Sequence, residues 1–120
     1  MSEPAGKPVV FFVFRDEAVC FVHVLLNALN FTQKGREAKI VLEGPAVKLV
    51  GVLENPSSQF HALYMKAKNA GIFDGACMAC SRQFGVHEQV VAAGIPLLSD
   101  MSGHPGIFPY MAKGCEVLVF

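Results

Sequence analysis

The sequence lacks an excess of charge of either sign. Ten basic side chains balance ten acidic ones, charged residues make up 17% of the 120 residues, and no basic run is longer than two residues. Proteins that bind nucleic acid carry clustered positive charge, so we expect no nucleic-acid partner. Because 52% of the residues are apolar, the composition also excludes an intrinsically disordered chain.

Long apolar runs are missing too. The longest run near the start, Val9 to Phe14, has six residues, whereas a membrane-spanning helix needs ~20. No small-residue cleavage site follows an apolar core of the length found in export signals. We therefore expect no membrane span, no export signal and a location in the cytoplasm.

Two common kinds of catalytic site are absent as well. The first apolar run is followed by Arg15-Asp16-Glu17 rather than by a glycine-rich loop, which excludes a phosphate-binding loop and a dinucleotide-binding fingerprint. No Gly-x-Ser-x-Gly segment occurs, which excludes the nucleophile elbow of serine hydrolases. The chemistry of this chain must therefore come from other side chains.

The sequence does contain a regular alternation of strand and helix patterns. Short apolar runs typical of buried strands are followed by helical segments that end near a glycine. The predicted strands are 9–14, 39–42, 72–76, 95–98 and 116–120, and the predicted helices are 17–33, 45–51, 55–71, 86–93 and 104–114. This alternation predicts one α/β domain over residues 1–120, a three-layer α/β/α sandwich around a mostly parallel five-stranded sheet. The strand order stays open.

The first predicted helix, 17–33, begins after Asp16, a good N-cap residue, and is apolar almost all round. Its one weakly polar stripe consists of Cys20, His23, Asn27 and Asn30. A helix of this kind is buried on more than one side, so we expect the sheet and a neighbouring subunit to cover it. A closed ring of identical subunits would leave no apolar patch open to water.

Polar and reactive side chains collect where the predicted strands end. Glu43 follows the second strand, Cys77 and Cys80 follow the third, and His104 follows the fourth. The carboxyl ends of parallel strands meet at one edge of the sheet, where ligands bind. These four residues are therefore the candidate catalytic residues. Polar loops also begin at strand ends, and for Asp16 and Asp100 that simpler interpretation is as good as a functional one.

The segment Cys77-Met78-Ala79-Cys80 is the most specific of these features. A thiol at the start of a helical turn faces the positive end of the helix, so we expect a lowered pKa for Cys77. A second thiol three residues on resolves a disulfide or persulfide formed on the first. Two packed cysteines and half of a zinc site are the alternatives. Because Cys115, His87 and His104 are isolated in the sequence, no second ligand pair is apparent, and we expect no metal.

His104 and Cys20 each allow two interpretations. His104 lies between Gly103 and Pro105, and a helix starting there would keep its ring neutral as a base or a hydrogen-bond donor, although a simple helix cap explains it equally well. Cys20 lies in the first turn of a helix that starts at the same edge and could approach the site, but a lone cysteine on an apolar helix is more often core filler. Cys115 precedes the last strand, at the opposite edge, and is predicted to be structural.

These residues resemble the DsrE/DsrF-like proteins of sulfur relay. The similarity runs over nearly the whole chain, through Leu-Leu-Asn-Ala-Leu-Asn, then Lys-Gly-Arg-Glu-Ala-Lys-Ile-Val-Leu-Glu-Gly, and Ala-Cys-Met-Ala-Cys-Ser-Arg-Gln-Phe-Gly after the third strand. The resemblance implies that Cys77 carries a persulfide and that the protein is a homotrimer or homohexamer without an organic cofactor. It also implies that sulfane sulfur passes between protein thiols. Cys80 is an addition, since the carrier subunits of that family do not need a second cysteine.

We therefore expect a cytoplasmic sulfur-relay protein, a persulfide carrier similar to sulfurtransferases. Cys77 would take sulfur from a donor protein, Cys80 would help to release it to an acceptor protein, and Glu43 and His104 would adjust the protonation of the thiolate. A thioredoxin-like dithiol reductase is one alternative, although its cysteine pair follows an early strand. A non-enzymatic oligomeric binding or assembly protein with a vestigial site is the other.

Overall fold

The computed structural model describes residues 6–120 and contains one five-stranded sheet flanked by helices. The strands are β1 (Val9–Val13), β2 (Ala38–Leu42), β3 (Phe73–Cys77), β4 (Leu97–Leu98) and β5 (Glu116–Val119). The helices are α1 (Ala18–Gln33), α2 (Leu49–Glu54), α3 (His61–Asn69), α4 (Met78–Gln83), α5 (His87–Ala92) and α6 (Phe108–Ala112), and a 3-10 helix spans Gly44–Lys48. The strands pair in parallel in the order β4-β3-β2-β1-β5. The predicted α/β/α sandwich is confirmed, and residues 1–5 of the predicted domain lie outside the described residues.

The strand order distributes the helices unequally over the two faces of the sheet. From β1 to β4 each strand is added on the same side of the one before it. Right-handed crossovers therefore place α1 to α5 on one face, which we call the thick face, and α6 on the other, which we call the thin face. Phe11 belongs to the large buried cluster of the thick face, whereas Phe12 belongs to a small cluster with Val10 and Val41 on the thin face.

Strand β1 lies between β2 and β5 in the sheet and is buried at every position. Its residues alternate between the two faces, and helices cover both. On the thin face the ring of Phe12 meets the ring of Tyr110 edge to face, with 5.5 Å between the centroids. A parallel strand covered on both sides needs apolar residues throughout, which explains the continuous apolar run in the sequence.

Helix α1 differs from the prediction in its cap and in its exposed surface. Asp16 does not cap it, because its carboxylate pairs instead with the Lys48 ammonium at 3.0 Å. The weakly polar stripe of α1 faces solvent, together with the side chains of Val19 and Leu26. Although α1 is the longest helix described, none of the helices between residues 6 and 120 has the length and apolarity needed to cross a membrane.

Two other helices begin later than predicted. The helix predicted from Asn55 begins at His61, because Asn55 forms a turn in which its Oδ1 accepts the N–H of Ser57 at 2.9 Å. The helix predicted from His104 begins at Phe108. His104 is therefore neither a helix cap nor a first-turn residue, and the expected effect of a helix N-terminus on its ring does not apply.

Gly75 allows β3 and the edge strand β4 to approach each other closely. A Cβ atom at this position would lie 2.4 Å from Cγ of Leu98, so any other residue would force the Leu98 side chain to move. Strand β4 pairs with β3 so that Leu98 is in register with Cys77. This register brings the loop that follows β4 next to the end of β3.

Candidate thiol and imidazole site

The four residues predicted from the strand ends meet at the carboxyl edge of the sheet. Glu43 follows β2, Cys77 ends β3, Cys80 lies in the first turn of α4, and His104 lies in the loop after β4. One carboxylate, sulfur or imidazole atom from each residue lies within 4.8 Å of the others. The parallel sheet therefore assembles four side chains that are far apart in the sequence.

Local hydrogen bonds hold the cysteine pair in place. Cys77 is the N-cap residue of α4, and its Sγ accepts the backbone N–H of Cys80 at 3.3 Å. The hydroxyl of Ser81, which is fully buried, donates to the Cys77 carbonyl at 2.7 Å. Both sulfur atoms are thus attached to a fixed turn. The role of Ser81 was not predicted, although its position four residues after Cys77 is typical of a serine that bonds back along a helix.

The loop after β4 carries His104 into this turn. Met101 and His104 form an antiparallel bridge with hydrogen bonds of 2.7 and 3.0 Å, and the Gly103 carbonyl accepts the N–H of Ala79 at 2.9 Å. Gly103 has a φ of +91°, a backbone conformation that favours glycine. The loop is therefore fixed to the start of α4, which positions the imidazole over the thiols.

His104 is the centre of the cluster. Its Nδ1 lies 3.0 Å from the Cys77 Sγ, 3.7 Å from the Cys80 Sγ and 3.8 Å from the Glu43 Oε1. Two thiols and a carboxyl group thus share one ring nitrogen. The side chain of His104 is 43% exposed and that of Glu43 only 10%, so the cluster opens to solvent on the histidine side.

The electrostatics of the cluster contradict one prediction. Burial raises the pKa of Cys77 to about 12, and although the N–H of Cys80 acts in the opposite direction, the Cys80 thiol and the charge of Glu43 raise it further. Burial also raises the pKa of Glu43, against the lowering effects of the Cys77 hydrogen bond and of His104. The expected lowering of the Cys77 pKa is wrong because desolvation outweighs the start of the helix. At neutral pH the resting Cys77 is a thiol.

The two thiols of the pair differ in exposure. Cys77 has no exposed surface, whereas Cys80 is half-buried. A reagent from outside therefore reaches Cys80 before Cys77. The sequence-based assignment, in which Cys77 meets the donor and Cys80 follows, has the opposite order.

The remaining cysteines lie outside the cluster. Cys20 is exposed on α1, so the prediction that it fills the core is wrong. It lines a surface groove between α1 and β5 together with Arg15 and Phe120, and this groove includes none of the four site residues. Cys115 is half-buried against the thin-face cluster, in agreement with a structural role. The carboxylate of Asp100 accepts the backbone N–H of Gly106 at 3.1 Å, so Asp100 stabilises the loop after β4.

The place of His104 at this edge of the sheet was predicted, but its isolation in the sequence concealed its direct contact with the two thiols. Its nearest partners in space are 27 and 24 residues away in the chain, at Cys77 and Cys80. We expected no metal because the sequence shows no further ligand pair for the cysteines. The structure places His104 and Glu43 beside them, so the absence of such a pair from the sequence does not exclude a metal.

Comparison with known proteins finds relatives without an assigned function. No protein-family model matches the chain. MJ0733, an uncharacterized protein of Methanocaldococcus jannaschii, is 30% identical over 97 residues, which cover 81% of this chain and 77% of that protein. An uncharacterized protein of Archaeoglobus fulgidus is 34% identical over 41 residues, or 34% of this chain and 67% of that protein.

A solved structure shows the same fold. The conserved protein of unknown function BT1422 from Bacteroides thetaiotaomicron superposes with a TM-score of 0.67 at 23% identity, over 93% of this chain and 94% of that chain. At this level of identity the likeness concerns the fold alone. What the site does must therefore be argued from its own side chains.

Proposed function

This chain belongs to the same family as MJ0733 of Methanocaldococcus jannaschii, and we propose that it is a cytoplasmic sulfur-relay protein in which Cys77 and Cys80 carry sulfane sulfur from a donor to an acceptor protein. One observation carries the proposal: two thiols lie 3.0 and 3.7 Å from the same imidazole nitrogen of His104. A thiol next to a base is the arrangement that nucleophilic sulfur chemistry requires. The resemblance of the sequence to DsrE/DsrF-like proteins supports the same chemistry.

The difference in exposure between the thiols sets the order of transfer. Cys80 attacks the outer sulfur of a donor persulfide, R–S–SH, so that the donor S–S bond breaks and a new S–S bond forms on Cys80. The donor leaves as R–SH with the proton that Cys80 gives up. The buried Cys77 then takes the same sulfur from Cys80, which returns to the thiol. Each step exchanges one S–S bond for another, so no external oxidant or reductant is needed.

His104 holds the proton during these exchanges. Its Nδ1 contacts both sulfur atoms, so it accepts a proton from the attacking thiol and returns it to the sulfur that leaves. This help is needed because Cys77 is protonated at neutral pH, its pKa being raised to about 12 by burial. The carboxyl group of Glu43, 3.8 Å from the same nitrogen, stabilises the imidazolium while it carries the proton.

An oligomer, a homotrimer or homohexamer, is part of the proposal. The thin face exposes large apolar side chains on α6, where Phe108 is 80% and Met111 61% exposed. Apolar surface of this kind supports contact with another copy of the chain. Light scattering of the purified protein should give three or six times the mass of one chain, and a monomer at micromolar concentration would refute this part.

Mass spectrometry after treatment of the reduced protein with a polysulfide tests the relay. We expect one added sulfur atom on Cys77 in the unaltered chain, much slower loading of Cys77 in Cys80→Ser, and sulfur retained on Cys80 in Cys77→Ser. Cys20→Ser and Cys115→Ser are matched controls that should load normally. The proposal fails if sulfur accumulates on Cys20 or Cys115 while both members of the pair stay unmodified.

A further inference from the structure

We propose that Glu43, Cys77, Cys80 and His104 form a binding site for one thiophilic divalent cation such as Zn²⁺, with one ligand atom from each residue. Thiolate, imidazole and carboxylate are the ligand types that Zn²⁺ takes in proteins. The site needs only the arrangement of these four side chains, so it does not depend on the sulfur relay. It combines ligands from three separate segments of the chain.

The distances in the cluster approach those of a tetrahedral site. Zn–S bonds of ~2.3 Å and Zn–N or Zn–O bonds of ~2.1 Å place neighbouring ligand atoms ~3.4–3.8 Å apart. The His104 Nδ1 lies 3.7 Å from the Cys80 Sγ and 3.8 Å from the Glu43 Oε1, which match this range. Its 3.0 Å separation from the Cys77 Sγ is a hydrogen-bond distance. A small rotation of the half-exposed imidazole opens that distance, and the loss of the shared proton removes the bond.

The charges of the cluster also favour a cation. Two thiols and a carboxyl group converge in a largely buried place, and within residues 6–120 no lysine or arginine pairs with Glu43. Acidic groups gathered in a buried place are costly to ionise unless a cation compensates their charge. A divalent ion replaces the thiol protons and offsets two of the three negative charges that the two thiolates and the carboxylate then carry.

The residues around the cluster hold it as a ready-made site. The backbone N–H of Cys80 already donates to the Cys77 Sγ at 3.3 Å, and Ser81 and the Gly103 carbonyl fix the cysteine turn and the histidine loop. Outer partners of this kind orient metal ligands and stabilise thiolate charge. The exposed side of His104 lets an ion reach the cluster from solvent.

If the sulfur relay operates as proposed, metal and sulfur compete for the pair. Coordination occupies both thiolates, and a persulfide on Cys77 or Cys80 removes a ligand sulfur from its position. A bound ion therefore protects the thiols and blocks sulfur transfer. This consequence, unlike the binding site itself, rests on the proposed function.

Titration of the reduced full-length chain with Co²⁺, followed by its visible and near-ultraviolet absorption, tests the site. We expect one ion per chain, the intense visible bands of tetrahedral Co²⁺, a thiolate-to-metal charge-transfer band, and loss of both on addition of Zn²⁺. His104→Gln and Glu43→Gln should each weaken binding by ~10-fold or more. His87→Gln on α5 and Cys20→Ser on α1 are matched controls that should bind normally. Circular dichroism of each variant verifies that it is folded.

Two results would overturn the site. One is the absence of saturable absorption changes at micromolar to millimolar Co²⁺. The other is binding of equal strength in the unaltered chain, in folded His104→Gln and in folded Glu43→Gln, which would leave only a pair of cysteines as ligands. Sulfur loading of the chelator-treated protein is measured separately, so a chain that takes sulfur but no metal, or metal but no sulfur, identifies which proposal has failed.

Discussion

The two faces of the sheet differ in how many helices cover them and in how large a core they bury. The thick face is covered by α1 to α5 and buries residues from most of the chain, whereas the thin face is covered by the five-residue helix α6 and buries Val10, Phe12 and Val41. The difference follows from the return connection between β4 and β5, which alone crosses the thin face. The site lies where the two meet, because Cys77 leads into α4 on the thick face and the loop of His104 leads towards α6.

The largest expected effect is a difference in alkylation rate between a thiol buried in the thick-face cluster and a thiol at the surface. Cys77 is buried with its pKa raised to about 12, whereas Cys20 is exposed. At about pH 8 we expect iodoacetamide to modify Cys77 on the order of 10³-fold more slowly than an unperturbed cysteine. The rate should rise ~10-fold per pH unit as the thiolate fraction grows. Peptide mass spectrometry of the metal-free chain measures both sites, and faster labelling of Cys77 than of Cys20 would contradict the burial argument.

The packing of the thick face is tested by two neighbouring leucines of α1. Leu25 is fully buried and Leu26 is 49% exposed. Leu25→Ala should lower the free energy of unfolding by ~2–5 kcal/mol, because it leaves a cavity in the core. Leu26→Ala should change it by ~0.5 kcal/mol or less. Urea denaturation measures both, and equal losses would mean that α1 packs differently from the structure.

The two tyrosines of the chain compare the faces directly. The hydroxyl of Tyr64, on the thick face, donates to Glu54 at 2.7 Å, and that of Tyr110, on the thin face, donates to Asp74. Burial raises the pKa of both phenols above the ordinary value, and the carboxylate partners raise it further. We expect Tyr64→Phe to lower the free energy of unfolding by ~1.5–3 kcal/mol and Tyr110→Phe to lower it by ~1 kcal/mol, because Tyr64 is buried more deeply.

Absorbance titration of the phenols gives an independent check of this comparison. The neutral phenol is the form that the folded chain favours, so the associated stability is present below the ordinary pKa and is lost as pH rises through the raised values. In the native protein neither tyrosine should ionise near 10, the ordinary value. If the thin face buried its tyrosine as fully as the thick face does, Tyr64→Phe and Tyr110→Phe would instead lose equal amounts of unfolding free energy.

The smallest effect is expected at Glu43, on the site edge. Burial raises its pKa above the ordinary value of 4.5, so the folded chain favours the neutral carboxyl group. The stability from this preference is complete below the ordinary pKa and is lost as pH rises through the folded pKa. Metal-free Glu43→Gln should therefore melt slightly above the unaltered chain at neutral pH, with the difference shrinking in acid. Lower melting of the variant at neutral pH would show that the Glu43 charge is stabilising.

The alternation of strands and helices, the parallel sheet and the placement of Glu43, Cys77, Cys80 and His104 at one edge were all predictable from the sequence. These features depend on local patterns and on one general rule, that parallel strands end on the same side of a sheet. Each strand or helix pattern can be recognised within its own segment of the sequence, without knowing which other segments pack against it. The same reasoning could not order the strands, and the unequal faces follow from that order.

The burial of Cys77, the exposure of Cys20 and the contact of His104 with the thiols came only from the tertiary structure. Each depends on what distant segments bring to a position: the loop after β4 covers Cys77, and α1 turns Cys20 away from the sheet. Desolvation then reversed the pKa shift that the start of α4 predicted for Cys77. Local sequence describes the charge and hydrogen bonds near a group, whereas its distance from water depends on the packing of the whole chain.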